Sequence, residues 1–154
     1  MVRTRFFSLC ALVITGNLAL SAPPDGAVTW QALPPLPDEH GFAGMAAGES
    51  GGALLAAGGA NFPDKPVWEG GEKSWSDRIF VLEAGSDEWK EARANLPATW
   101  AYGVFGTIGD SLIVAGGENG EENLYETIRL RYDNGKVRVI KDELPPIPEP
   151  ISYA

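Results

Sequence analysis

The fold is decided by two stretches of this 154-residue chain that align without a gap: residues 43–59 read AGMAAGESGGALLAAGG, and residues 101–117 read AYGVFGTIGDSLIVAGG. Each begins as a short strand of small residues, turns at a glycine-containing pair and continues as an apolar strand that ends in Gly-Gly. A short apolar run bounded by glycines is typical of a strand buried on both faces. The repeat therefore predicts two copies of one β-unit.

The second half of each unit also repeats. Residues 77–89 and 126–138 each predict a strand, a two-residue turn and a second strand, with the turns at Gly85-Ser86 and Asn134-Gly135. Asn-Gly favours a tight hairpin because both residues tolerate positive φ. Four strands in a unit of about fifty residues are typical of kelch repeats. We therefore predict an all-β fold, a kelch-type β-propeller, with two four-stranded antiparallel blades in this chain.

This interpretation divides the chain after residue 22 into four parts. They are an N-terminal segment (23–41), a first blade with a long loop between its second and third strands (42–97), a second blade (98–148) and the start of a third (149–154). The last part is predicted because residues 144–154 align without a gap to residues 33–43, which lead into the first blade.

Two blades cannot close a ring, because propellers typically have about four to eight. We therefore expect a partial chain with an open sheet edge that lowers its solubility. Val28-Thr29-Trp30 is predicted to be an outer strand whose partner belongs to the last blade of the ring. The alternative is a free-standing small β-domain made of two packed sheets.

The first 22 residues predict a secretory signal peptide. Arg3 and Arg5 give it a positive start, residues 6–20 are apolar apart from three polar positions, and small residues follow. A stretch this short fits a cleaved signal better than a membrane span, and an uncleaved N-terminal anchor is the alternative. We expect a periplasmic or secreted protein, cleaved near residues 19–22, with no membrane contact beyond the signal peptide.

The composition excludes several classes of function. The chain carries 21 acidic and 12 basic residues, a net charge of −9, and such a surface repels phosphate backbones and anionic lipids. We therefore expect no nucleic-acid partner. Cys10, the only cysteine, lies in the signal peptide, and a single histidine cannot build a His-rich metal cluster. No dinucleotide, phosphate-loop or nucleophile-elbow motif is present, and we expect no cofactor.

A family likeness is carried by GFAG at residues 41–44 and by LLAAGGANFPDKPVWEGG at residues 54–71. Together they resemble the opening of the cyclically permuted mutarotase family, which is related to the N-acetylneuraminate epimerases, also called sialic acid mutarotases. The likeness covers residues 28–154, about a third of a six-bladed propeller of this family. It implies interconversion of the anomers of N-acetylneuraminate, outside the cytoplasm and without a cofactor or metal.

The resemblance also implies a catalytic glutamate. In the family this residue stands in a Gly-Glu pair after a second strand, with Lys-Pro-Gly and Arg-Thr close behind. Gly117-Glu118 matches the pair, whereas residues 119–123 (NGEEN) differ from the residues that the family has after this pair. Glu118 is therefore the catalytic candidate of this chain, and the full motif is expected in a later blade.

The two blades differ chiefly in one loop. Between the double glycine and the next strand, blade one carries nine more residues than blade two, within residues 61–76. In a propeller this loop shares a face with the loops between blades, so the insert should meet residues 38–41, residues 99–101 and Glu118 at one rim of the central channel. Function commonly resides on loops held by such a scaffold.

Opening a sugar ring requires a base and an acid, and a sugar carboxylate requires a cation. The rim offers acids, the lysines at 65 and 73, and tryptophans that can stack on a sugar face. The substrate-binding candidates are His40, Asn61, Asp64, Lys65, Trp68, Glu69, Trp75, Arg78 and Trp100.

Each candidate also has a purely structural interpretation, such as a turn cap at Asp64, a backbone contact at Asn61, a local ion pair at Arg78 or a packed loop tryptophan. The expected partner is a small-molecule sugar. The rival function is a non-catalytic kelch module that binds a glycan or a protein, since stacking aromatic rings also form lectin sites.

Overall fold

The computed structural model describes residues 28–153, so the predicted signal peptide lies outside the described residues. Residues 28–32 form no strand and Trp30 is 94% exposed, so the outer strand at residues 28–30 stays a prediction. A compact unit begins at Leu33. Its helical structure is limited to one 3-10 turn at Val67–Glu69, and no helix among the described residues is long and apolar enough to cross a bilayer.

The ten strands are β1 (Ala46–Ser50), β2 (Ala53–Ala57), β3 (Ala60–Asn61), β4 (Ser74–Trp75), β5 (Ile79–Glu83), β6 (Lys90–Glu91), β7 (Val104–Ile108), β8 (Ser111–Ala115), β9 (Thr127–Asp133) and β10 (Lys136–Ile140). They form two antiparallel four-stranded sheets, β1-β2-β5-β6 and β7-β8-β9-β10, and β3 pairs with β4 inside the long insert. The two predicted four-stranded units are confirmed. Asn134 (φ 50°) and Gly135 (φ 76°) form the expected hairpin turn. Trp89, expected in an outer strand, instead lies just before the two-residue β6.

The core lies between the two blades because their strands alternate faces. On blade one, Leu55 and Ile79 point toward blade two and are fully buried, as are Leu112 and Leu130 on the facing side of blade two. The opposite face of blade one buries a second cluster that is covered by the segment before β1. That cluster contains Ala56, Phe80, Leu82 and Trp89, with Leu36, Phe42, Met45 and Leu54 packed against it.

The double glycines make the same contact in both blades. The Gly59 amide donates to the Trp100 carbonyl oxygen (2.7 Å), and the Gly117 amide donates to the Ile151 carbonyl oxygen (2.6 Å). All four glycines have positive φ, between 63° and 97°. A Cβ on Gly58 would overlap the Trp100 carbonyl oxygen. Only glycine allows the next inner segment to pass this close.

The third unit corrects one part of the repeat alignment. The Tyr102 amide donates to the Gly44 carbonyl oxygen (2.9 Å), and the Tyr153 amide donates to the Tyr102 carbonyl oxygen (3.0 Å). Tyr153 is therefore equivalent to Tyr102 and Gly44, whereas the gapless alignment paired it with Phe42. That alignment is wrong by two positions here. The extra length before blade one is accommodated by a turn in which Asp38 Oδ1 accepts hydrogen bonds from two backbone amides, those of residues 40 and 41.

Candidate functional site

Glu118 is the centre of a polar cluster at the point where β8 ends. Its backbone bonds in both directions to Ala101 (2.8 and 2.9 Å), which fixes the residue beside the inner segment of blade two. Its Oε1 accepts hydrogen bonds from Lys73 Nζ (3.5 Å), Trp75 Nε1 (3.3 Å) and the Tyr153 hydroxyl (3.1 Å). The side chain is 17% exposed. Three donors thus hold one carboxylate oxygen at a partly open position.

Lys73 brings a cation into the same cluster. Its Nζ donates to the Tyr153 hydroxyl (3.0 Å) and lies 4.3 Å from the ring centroid of Tyr102, 4.8 Å from that of Trp75 and 5.5 Å from that of Tyr153. Burial acts to lower the pKa of Lys73, but its interactions with the two tyrosines outweigh burial and raise that pKa above the ordinary lysine range. Lys73 is therefore a protonated ammonium surrounded by rings and one carboxylate.

Both tyrosines of the cluster have unusual backbone conformations. Tyr102 has φ 60° and Tyr153 has φ 59°, and a bulky side chain in this region costs on the order of 1–3 kcal/mol. Their rings stack with centroids 4.2 Å apart and an interplanar angle of 17°. The equivalent position in blade one is Gly44, where a Cβ would overlap the Tyr102 ring. The strained backbone therefore places two stacked hydroxyl-bearing rings over the ammonium of Lys73.

An open groove of about 770 Å³ adjoins this cluster. It lies between the insert and the turn before β1, and Tyr102 lines it as well as contacting Lys73. Its volume falls in the range typical of small-ligand sites, about 300–1,000 Å³. Trp68 lies on the rim with its side chain 80% exposed. Tyr102 joins the groove to the Glu118 cluster, whereas Glu118 and Trp75 line a separate cavity of about 270 Å³, so the candidate site has two adjoining parts, one polar and one aromatic.

The comparisons with known proteins identify the family of this chain. The family model described as N-acetylneuraminate epimerase matches residues 15–139. The chain belongs to the N-acetylneuraminate epimerase family. Among curated relatives, the N-acetylneuraminate epimerase of Brucella suis is 35% identical over 133 residues, which is 77% of this chain and 34% of the relative. That of Vibrio cholerae serotype O1 is 31% identical over 127 residues, which is 72% of this chain and 32% of the relative.

A solved structure described as "Structure of YjhT" has a TM-score of 0.65 and 29% sequence identity to this member of the epimerase family, over 73% of this chain and 34% of that one. The predicted fold class, a kelch-type β-propeller, is confirmed. The chain spans about a third of the length of the curated relatives it matches.

The structure gathers most of the predicted site residues of this family member. Five of them line the groove: His40, Asn61, Asp64, Lys65 and Trp68. Trp75 and Glu118 meet in the polar cluster. The side-chain amide of Asn61 donates to the Gly41 carbonyl oxygen (2.9 Å). This is the backbone contact that the structural interpretation of Asn61 predicts.

Three predicted site residues lie elsewhere. Trp100 is only 4% exposed and packs in the core between the blades, so the described part of the chain leaves its ring no open face for a sugar. Arg78 is also outside the groove, because its guanidinium pairs with Asp38 (3.0 Å) and Glu91 (2.8 Å) and lies over the ring of Phe80. Glu69 ends the 3-10 turn and does not line the groove.

Two members of the cluster were missed in the sequence. These are Tyr102 and Tyr153, and nothing in tyrosine itself indicates positive φ. The repeat gave a signal for Tyr102, which aligns with Gly44, a glycine with φ 68°, whereas the gapless alignment placed Tyr153 two positions away from that site. Among residues 28–153 no group of three or more His, Cys, Asp or Glu side chains is arranged to hold a metal ion.

Proposed function

We propose that the whole protein interconverts the anomers of N-acetylneuraminate and that Glu118 and Tyr153 act in this reaction. Membership of the N-acetylneuraminate epimerase family supports the reaction. The observation that carries the assignment is the asymmetry of the Glu118 carboxylate. All three side-chain donors reach Oε1, and no residue in the described part of the chain donates to Oε2. Oε2 is therefore the oxygen available to a substrate proton.

The proposed step opens and recloses the sugar ring. Glu118 Oε2 takes the proton of the anomeric hydroxyl while the bond between the anomeric carbon and the ring oxygen breaks, which leaves a ketone. The Tyr153 hydroxyl gives up its hydrogen bond to Glu118 Oε1 and delivers its proton to the departing ring oxygen. Rotation exposes the other face of the ketone, and closure returns the first proton from Glu118 to the carbonyl oxygen and the second from the new hydroxyl to Tyr153. Positioned acids and bases of this kind typically contribute about 10²–10⁴-fold each.

The groove supplies recognition of an acidic sugar. Lys65 lines it and forms no ion pair within residues 28–153, so its ammonium is available for the sugar carboxylate. Trp68 is the exposed ring beside it and suits stacking against a sugar face. A cation at this point is needed because the net charge of −9 otherwise repels an anionic substrate.

The test is anomer exchange followed by NMR on the whole protein. A freshly released single anomer of N-acetylneuraminate is added, and the approach to the equilibrium mixture is recorded with and without enzyme. We expect catalysed exchange that falls by about 10²-fold or more in Glu118→Gln and stays unchanged in Glu122→Gln, an exposed neighbouring carboxylate in the loop after Glu118. Exchange at the uncatalysed rate contradicts the proposed reaction, and sugar binding without exchange favours a lectin instead.

We also propose that the protein works outside the cytoplasm, in the periplasm or secreted. The support is the sequence of residues 1–22, with Arg3 and Arg5 ahead of an apolar stretch. N-terminal sequencing of the protein recovered from the extracytoplasmic fraction should find a start near residues 20–23. A start at Met1 in the cytoplasmic fraction contradicts the proposal.

A further inference from the structure

We propose that Lys73 is a positioning residue that holds Glu118 and Tyr153 in register for proton transfer, within a cage of aromatic rings. This inference rests on the proposed function. It concerns a residue of the insert that contacts both members of the proposed acid–base pair: Nζ lies 3.5 Å from Glu118 Oε1 and 3.0 Å from the Tyr153 hydroxyl. The same hydroxyl donates to Glu118 Oε1, which closes a triangle of three polar groups.

The three groups come from separate parts of the chain. Lys73 precedes β4 in the insert of blade one, Glu118 follows β8 in blade two, and Tyr153 lies in the third inner segment. Backbone hydrogen bonds place Glu118 and Tyr153 beside the adjacent residues 101 and 102, and the positions of their side chains then depend on the contacts that they make with each other and with Lys73. Lysine suits this place because its compact ammonium carries three donors that can point to different partners.

The surrounding rings immobilise the ammonium. An exposed lysine loses rotamer entropy when it is fixed, and exposed ion pairs rarely offset that loss. Lys73 is 22% exposed and contacts Trp75 and Tyr102 through their faces as well as the two polar partners. Cation–π contacts add an attraction that grows stronger where water is excluded. The cage therefore offsets the entropy lost by fixing a lysine at this site.

The charge state of Lys73 agrees with a positioning role. Its pKa is raised by the tyrosines against the opposing effect of burial, so the group stays an ammonium at neutral pH and does not itself accept the substrate proton. Its contribution is to orient Oε1 of Glu118 and the hydroxyl oxygen of Tyr153. Oε2 of Glu118 is then left to the sugar, and the Tyr153 proton becomes available when its hydrogen bond to Glu118 Oε1 is exchanged for one to the sugar.

A kinetic test separates positioning from binding. In the whole protein, Lys73→Met should lower kcat for anomer exchange at least tenfold and change KM less than threefold, because the groove that binds the sugar is intact. Lys73→Arg, which keeps the charge and its donors, should recover part of kcat. The matched control is Lys90→Met. Lys90 lies on β6, the outer strand of blade one, and its Nζ pairs with Glu83 Oε2 (3.3 Å). An unchanged kcat in Lys73→Met overturns the proposal.

A second measurement does not depend on activity. Reductive methylation of the wild-type protein, read for each lysine by mass spectrometry, should label Lys73 at least tenfold more slowly than Lys90, whose side chain is 65% exposed. Glu118→Gln should accelerate labelling of Lys73 and leave Lys90 unaffected. Equal labelling of both lysines overturns the cage even if the enzyme is active. A caged Lys73 in a protein without exchange activity contradicts the proposed function instead.

Discussion

Replacing Ser50 by alanine should weaken the contact between the two blades. Ser50 ends β1 with no exposed surface, and its hydroxyl donates to the Asp110 carbonyl oxygen (2.6 Å) and accepts from the Tyr132 amide (2.8 Å), both in blade two. The alanine variant leaves the Tyr132 amide without that partner, which costs about 1–3 kcal/mol, whereas water can reach the exposed Asp110. We expect a loss of about 2 kcal/mol in the free energy of unfolding.

The assay is urea unfolding of the whole protein, followed by tryptophan fluorescence. The matched control is Ser86→Ala, because the Ser86 hydroxyl also makes two hydrogen bonds, but both go to Glu88 within one exposed turn (2.9 and 3.2 Å). The control should change the free energy of unfolding by less than about 0.5 kcal/mol. If Ser50→Ala loses no more than Ser86→Ala, the blades are not held together through this hydroxyl.

Two further predictions concern the same scaffold. Gly58→Ala combines a positive φ (69°) with overlap between the added Cβ and the Trp100 carbonyl oxygen, so its urea midpoint should fall well below that of Gly85→Ala. At Gly85 φ is also positive (77°), but no atom lies near the added Cβ. Equal midpoints for the two variants contradict the close approach at Gly58. The hydrogen bond from Tyr132 lowers the pKa of Glu83 below its ordinary value of 4.5. A lowered carboxyl pKa stabilises the folded protein at pH values above 4.5, and this stabilisation is lost as the pH falls through the lowered pKa. Tyr132→Phe should therefore lose less stability than wild type between pH 7 and pH 3, and identical pH profiles contradict this coupling.

The blades could be predicted from the sequence because the repeated residues are those that the backbone geometry of each blade requires. Gly-Gly pairs mark the places where the next segment passes too close for a side chain, and Asn134-Gly135 marks a turn that needs positive φ at both residues. Apolar β2 and β8 could be recognised as buried strands since few other environments accept such a run.

The candidate site was predicted only in part. The topology of a propeller alone places these loops on one face, so the sequence could predict that Glu118, Trp75 and Lys65 lie in the same region. Side-chain direction does not follow from topology, and Trp100 packs in the core although Tyr102, two residues later, lines the groove. Tyr153 was not predicted as a site residue because its contact with Glu118 depends on a register that differs by two positions from the gapless alignment.

The most direct test of the central claim is an experimental structure of the whole protein with N-acetylneuraminate bound. We predict that the anomeric hydroxyl lies about 2.6–3.2 Å from Glu118 Oε2, with the sugar carboxylate at Lys65 and a sugar face against Trp68. A sugar seated in a different part of the propeller, out of contact with Glu118, contradicts the assignment of this site.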